Sequence, residues 1–351
     1  MKRLIAEFEE QSFTQIIFPH AKSDWAEYLD EAEENFIEII NAIIKFQKCL
    51  VVCVNIEYVK AKFISHANLY FVEYESDDTW ARDCSVLCIE DEDEIKLLDF
   101  TFDGWGGKFE ATKDNKMSKN LTKYYDKEVI KVDFILEGGG VESNGEGLIL
   151  TTSRCMQNRN NFKSTTKVVA PKESKNHTED TILTVLDKTL TTLKNHLGAK
   201  NILSLNHGYL KGDDTDSHID TLVRFCDEKT IMYVKCQNKD DEHYNELKLM
   251  EDELKIFAKE FKLKLIALPF PHARYYDDER LPATYANFLF VNGGVLVPTY
   301  GVDEDEKALE IFRKTFKDRE VVAIDCQTLI RQHGSLHCVT MNFSRGVGIV
   351  I

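Results

Sequence analysis

No stretch of the chain approaches 18 uninterrupted apolar residues, so no membrane-spanning helix is expected. The opening run Met1-Lys2-Arg3-Leu4-Ile5-Ala6-Glu7-Phe8-Glu9 lacks the apolar centre of a secretory signal. Pro- and Ser-rich linkers and low-complexity tracts are also missing, which favours one domain over residues 1–351. There is no CxxC pair and no Cys/His spacing of the zinc type. Positive charge is short as well. The formal charge of −16 argues against nucleic acid and anionic membranes and favours cationic substrates. Nine cysteines, an odd number, suit a reduced, cytoplasmic protein. The same-face pairs Cys49/Cys53 and Cys84/Cys88 on expected strands suggest core packing.

What is present is a recurring pattern. Residues 24–47 place Trp25, Tyr28, Leu29, Ala32, Phe36, Ile39, Ile40 and Ile43 at three- and four-residue steps, predicting a helix that leads into a strand from Cys49 to Val54. Strands are expected at 69–74, 84–89, 95–100, 128–134, 147–152 and 201–205. Helices are expected near 115–126 and over 179–197, the latter with Ile182, Val185, Leu186, Leu193 and Leu197 inward. In the second half, strands at 218–226 and 230–236, a helix at 241–260 and a strand at 263–268 form one unit. A hairpin across Asn292-Gly293, a helix at 303–316 opened by an Asp303/Glu306 capping box, and a strand at 320–325 form the next. Helix starts near 179, 241 and 303 fall in steps of 62 residues, the signature of a repeat. Extended backwards, the count is five strand–strand–helix–strand units. The hairpin of the first would come from the C-terminus, Val339–Asn342 and Val347–Ile351, closing a ring by pairing the chain ends.

Chemistry-bearing residues stand where the hairpins begin: Asp83, Glu137, His218 with Asp220, and Cys338. Only the fifth unit, at Ala283-Thr284, offers nothing ionisable. A guanidinium is planar and always charged, and two carboxylates can grip its N–H donors in a fork. Its central carbon is resonance-stabilised, so attack needs a thiolate and a proton for the departing nitrogen. Cys338 as nucleophile, His218 as acid and base, Glu137 orienting His218, and Asp83 and Asp220 as clamps meet those demands. His218 and Asp220 are expected on one strand face. Trp80 and Trp105 could pack a cationic substrate's alkyl arm, and Gly334 lies in the turn beside the nucleophile. Each has a plainer reading: a core cysteine, a structural histidine, Asp83 paired with Arg82, Glu137 ending a strand. His333 and His337 are assigned no role.

Several stretches together resemble the agmatine deiminase and Porphyromonas-type peptidyl-arginine deiminase family of the guanidino-modifying pentein superfamily. They are Asp78-Thr79-Trp80-Ala81-Arg82-Asp83, Gly104-Trp105-Gly106-Gly107-Lys108, Glu137-Gly138-Gly139, Gly145-Glu146-Gly147 and Cys155-Met156-Gln157-Asn158-Arg159-Asn160. They continue with Asp216-Ser217-His218-Ile219-Asp220, Tyr285-Ala286-Asn287-Phe288, Asn292-Gly293-Gly294-Val295 and Gly334-Ser335-Leu336-His337-Cys338. The resemblance implies a five-bladed α/β propeller. It also implies hydrolysis of a guanidine to a ureido group and ammonia through an amidino-cysteine, with Cys338, His218, Glu137, Asp83 and Asp220 in the roles above. No metal or cofactor is implied, and a homodimer is. Agmatine, converted to N-carbamoylputrescine, is the leading substrate; peptidyl-arginine, an amidinotransferase and a non-catalytic guanidine binder are the alternatives. One position departs: His333 stands where the family's Gly-Gly-x-x-His-Cys turn has its first glycine, a strained choice if that residue needs φ > 0.

Overall fold

A computed structural model describes residues 2–159 and 189–351. The expected inward residues Ile182, Val185 and Leu186 lie outside the described residues; residues 189–197 are helical, with Leu193 and Leu197 buried. The strands fall into five separate sheets of three or four strands and a small hairpin of Arg274–Tyr276 with Glu279–Leu281, and no closed sheet forms among the described residues.

Each of the five sheets contains the same core, an antiparallel pair joined to a parallel partner reached through a helical crossover. In the fourth, Val223–Phe225 pairs antiparallel with Thr230–Lys235, and helix Tyr244–Phe261 returns the chain to Lys264–Pro269 in parallel. The helix buries Leu247, Met250 and Leu254 along one stripe and stops at Lys262, whose backbone is left-handed. The fifth repeats this with Leu289–Val291, Gly294–Thr299, helix Glu304–Thr315 and Glu320–Asp325. The expected capping box is not formed there. Asp303 makes no side-chain cap, and Asp305 instead accepts the N–H groups of Tyr300, Gly301 and Val302. The second sheet runs Leu87–Asp91, Glu94–Thr101, Val129–Ile135, with Arg3–Leu4 added at its edge; the third runs Glu142–Ser143, Leu148–Thr152, Asn201–Leu205.

The chain ends do share a sheet, by a different pairing from the one expected. Thr340–Ser344 lies antiparallel to Gln11–Ile17, which continues in parallel to Lys48–Cys53 and Leu69–Glu73. Residues 347–351 form no strand, only an isolated bridge between Ile349 and Tyr125. The strand Gln11–Ile17 escaped the sequence reading because Thr14 and Gln15 are fully buried, which erases apolar alternation. Gln15 is satisfied by Ser85 at 2.9 Å and Tyr125 at 2.6 Å. The first long helix is shorter than expected, Leu29–Ile43, preceded by a single 3-10 turn. Cys84 lies in the short helix Ala81–Cys84, not on a strand. Among the described residues, no helix is long and apolar enough to cross a membrane.

Candidate active site

The site residues come from segments where the chain leaves or enters a sheet. Asp83 sits in the short helix Ala81–Cys84, Glu137 precedes the 3-10 turn Gly138–Gly140, and Cys338 lies just before Thr340–Ser344. His218 and Asp220 do not share a strand face as expected; they flank and enter the 3-10 turn Ile219–Thr221. Asp216 and Ser217 before them hold left-handed φ values of 63° and 69°, an uncommon conformation that aims His218 inward. All five residues are brought together and buried: Glu137 is 0% exposed, His218 and Asp220 1%, Asp83 4% and Cys338 5%.

His218 lies between two carboxylates, its Nδ1 3.7 Å from Asp83 Oδ1 and its Nε2 3.7 Å from Glu137 Oε2. Asp83 is anchored elsewhere, not on Arg82. Its Oδ1 accepts the Gly139 N–H at 3.0 Å and its Oδ2 accepts Trp105 Nε1 at 2.9 Å. Glu137 Oε1 accepts Arg159 Nε at 2.5 Å, while Oε2 has no hydrogen-bond partner among the described residues. Asp220 Oδ2 lies 2.7 Å from His337 Nδ1 and 3.9 Å from Cys338 Sγ, and its Oδ1 has no hydrogen-bond partner among the described residues. Gly139 is needed here for space: a Cβ on it would come within 2.6 Å of His218 Nδ1 and 3.0 Å of Asp83 Oδ1.

The charges follow from burial and these neighbours. Burial opposes ionisation of Glu137, but His218 and the Arg159 guanidinium outweigh it and hold that carboxyl below its ordinary value. Burial raises Asp83, and repulsion from Asp220 and Glu137 adds to it. Burial alone would lower His218; Asp83, Cys155 and Glu137 instead raise it well above its ordinary value, so it stands as an imidazolium at neutral pH. The Cys338 thiol is pushed well up by burial and by the nearby Asp220 and Asp83.

A cavity of about 180 Å³ leads to Cys338 and Asp83, walled by Trp80, Trp105 and Phe109. Asp24, Asp78 and Asp214 also line it, and among the described residues no lysine or arginine does. Gly334 packs flat on Trp80, where a Cβ would fall 2.0 Å from the ring. His333 has φ 63°, so the strained turn anticipated for this position is real. Its Nδ1 lies 2.7 Å from the Gly212 carbonyl, and the side chain lines the cavity.

Sequence reasoning missed four contributors. The fifth unit does supply a group: Asn287 Nδ2 lies 3.3 Å from Cys338 Sγ and 3.4 Å from Asp220 Oδ2, and its Oδ1 accepts the His337 N–H. Asn287 and Arg159 were within quoted motifs, but neither carried a chemical reason until its partner was known. His337 also lay within a quoted motif without an assigned role, and Glu7, 2.6 Å from it, gave no signal. Glu137, Cys155 and His218 have ligand atoms within 4.8 Å of one another. The Arg159 guanidinium on Glu137 and the imidazolium make this a poor cation site.

The model of the Porphyromonas-type peptidyl-arginine deiminase family matches residues 3–343. A C. jejuni agmatine deiminase structure with substrate bound is 37% identical, with a TM-score of 0.86, covering 100% of this chain and 98% of that one. A Porphyromonas gingivalis structure, provisionally named an arginine deiminase, is 40% identical with a TM-score of 0.88 over 99% and 100% of the two chains. The agmatine deiminase of Pseudomonas aeruginosa (strain UCBPP-PA14) is 26% identical over 96% of this chain and 94% of its own. With a match over nearly its whole length, the chain belongs to the Porphyromonas-type peptidyl-arginine deiminase family.

Proposed function

We propose that the protein hydrolyses agmatine to N-carbamoylputrescine and ammonia. The observation that carries this is the cavity: Cys338 and Asp83 line it, His218 and Asp220 are buried beside them, more carboxylates stand along it, and among the described residues no lysine or arginine lines it. A cationic guanidine with a second cation at its far end suits such walls, whereas a free arginine α-carboxylate would meet repulsion from Asp24, Asp78 and Asp214. Burial of the site favours a slender substrate over an arginine held in a folded protein chain.

In this reading Asp83 and Asp220 grip the guanidinium, and its positive charge offsets the two carboxylates that oppose ionisation of Cys338. The thiol proton passes to solvent as the thiolate forms and adds to the central carbon; imidazolium His218 gives its own proton to one nitrogen, which leaves as ammonia, so that an amidino-cysteine remains and His218 is neutral. His218, now neutral and held by Glu137 and Asp83, takes a proton from water as it attacks; the ureido product leaves and the thiol is restored. Trp80, Trp105 and Gly334 shape the channel for the aliphatic arm.

The same reading takes the five units as blades of a propeller in one catalytic domain, supported by the recurring strand order and the shared sheet of the chain ends. A cytoplasmic homodimer belongs to it through family likeness; sedimentation would test the dimer. The function itself is tested by assaying ammonia and ureido product from agmatine, arginine and an arginyl peptide, with Cys338→Ser as blank. Turnover of agmatine is expected. Turnover of the peptide alone would make the protein a peptidyl-arginine deiminase.

A further inference from the structure

Two cavities meet back to back at the end of the chain. Cys338 and Asp83 line the one just described, while their neighbours His337 and Arg82 line another, together with Glu7, Gln11 and Glu142. The second cavity holds an ion network centred on Glu7. Its Oε2 lies 2.6 Å from His337 Nε2, 2.8 Å from Arg224 Nη2 and 3.4 Å from Arg82 Nη2, and its Oε1 accepts the Phe290 N–H at 3.0 Å. The Glu7 side chain is only 8% exposed.

His337 joins this network to the active site, because its other nitrogen lies 2.7 Å from Asp220 Oδ2. An imidazole between two carboxylate oxygens satisfies both only when each nitrogen carries a hydrogen, and both bonds are then charge-assisted. Asp220 Oδ2 is thereby occupied. Asp220 Oδ1, on the same buried carboxylate, has no hydrogen-bond partner among the described residues. A buried carboxylate oxygen without a donor is costly until a ligand supplies one.

We propose that Glu7 and His337 are positioning residues: Glu7 seats His337, His337 holds Asp220 Oδ2, and Oδ1 is thereby presented to the guanidinium. Glu7 thus acts on a cluster whose proposed nucleophile, acid–base and clamp groups come from residue 83 onwards. Without the relay, the Asp220 carboxylate could turn about its side-chain bonds, and its fork geometry would have to be restored on binding. The proposal rests on the reading that the ligand is a guanidinium.

The test is titration calorimetry on the full chain carrying Cys338→Ser. Glu7→Gln or His337→Gln is added, each with and without Asp220→Asn, and near-UV circular dichroism verifies folding. With Asp220 intact, each variant is expected to weaken agmatine binding about tenfold; with Asp220→Asn already present, less than twofold, since the relay then has no carboxylate to hold. With Cys338 restored, KM should rise more than kcat falls, whereas partial misfolding would lower kcat at unchanged KM. Equal losses with and without Asp220, or unchanged affinity in both folded variants, overturn the proposal. Should Glu7→Gln not fold, the His337→Gln cycle decides alone. If the Cys338→Ser parent binds neither agmatine, arginine nor arginyl peptide, the functional reading itself fails, a result distinguishable because it precedes every relay variant.

Discussion

Every ionisable group at the base of the cavity is buried, so its charge depends on neighbours a few ångströms away. Cys338→Ser is expected to abolish turnover, by at least about a thousandfold, while agmatine still binds, because the clamps Asp83 and Asp220 are untouched. Residual turnover near the parent rate would remove Cys338 from the chemistry. Asp78 carries the clearest pH dependence. Burial, reinforced by Asp24 and Asp114, raises its carboxyl from 3.8 to about 7, and its Oδ1 has no hydrogen-bond partner among the described residues. The sign follows: the neutral acid is favoured in the empty cavity below that value, whereas a cation prefers the ionised form. Agmatine KM should therefore rise as pH falls from about 8 to 6, and Asp78→Asn should flatten that dependence. An identical KM profile in the variant would show that another group is responsible. That Cys338, His218, Glu137, Asp83 and Asp220 gather in one buried cluster was legible in the sequence, since thiol, imidazole and carboxylates announce their chemistry by type. Glu7 and His337 were not, since their meaning lies in a contact spanning 330 residues.

At the scale of elements, short turns position the chemistry while longer helices and strands support them. The turn Leu329–Gln332 ends at left-handed His333 and delivers Gly334 against Trp80. Gly334→Ala cannot keep this contact: its methyl must push the Trp80 ring or the turn aside, and both line the cavity. We expect at least a tenfold loss in kcat/KM with a folded protein; full activity would show that the turn shifts freely. Long amphipathic elements such as Tyr244–Phe261 and Glu304–Thr315 were legible within a few residues because one apolar stripe repeats along them. The 3-10 turn at Ile219–Thr221 was misread as strand, since its Ile-Asp-Thr sequence suits either and only the left-handed residues before it force the turn.

At the scale of the whole molecule, the shared sheet couples the two chain ends. Phe343 stacks on Phe13 with ring centroids 4.2 Å apart and lies against Tyr125 at 5.1 Å, bringing together residues from the start, the first third and the end of the chain. Phe343→Ala should cost about 3–5 kcal/mol in denaturant unfolding, as a large buried ring leaving a cavity. A loss below about 1 kcal/mol would mean that this sheet contributes little to holding the ends together. His333→Gly tests a local trade-off against that global one. Relief of the left-handed strain and loss of the bond to Gly212 are each about 1 kcal/mol, so stability should change by less than about 1 kcal/mol, measured in the same denaturant series.

The periodicity of apolar side chains sufficed to count five units, because burial of one face imposes a spacing that a linear text records. The residue types at the unit starts sufficed to name a guanidinium chemistry, because nucleophile, acid and clamp are properties of side chains. Tertiary structure alone decided which N-terminal strand completes the chain-end sheet, that Asn287 touches the nucleophile, and that Glu7 reaches Asp220 through His337. Those relations depend on distances between residues far apart along the chain. Buried polar groups such as Gln15 and Glu7 carry no periodic signal by which a sequence could declare their partners.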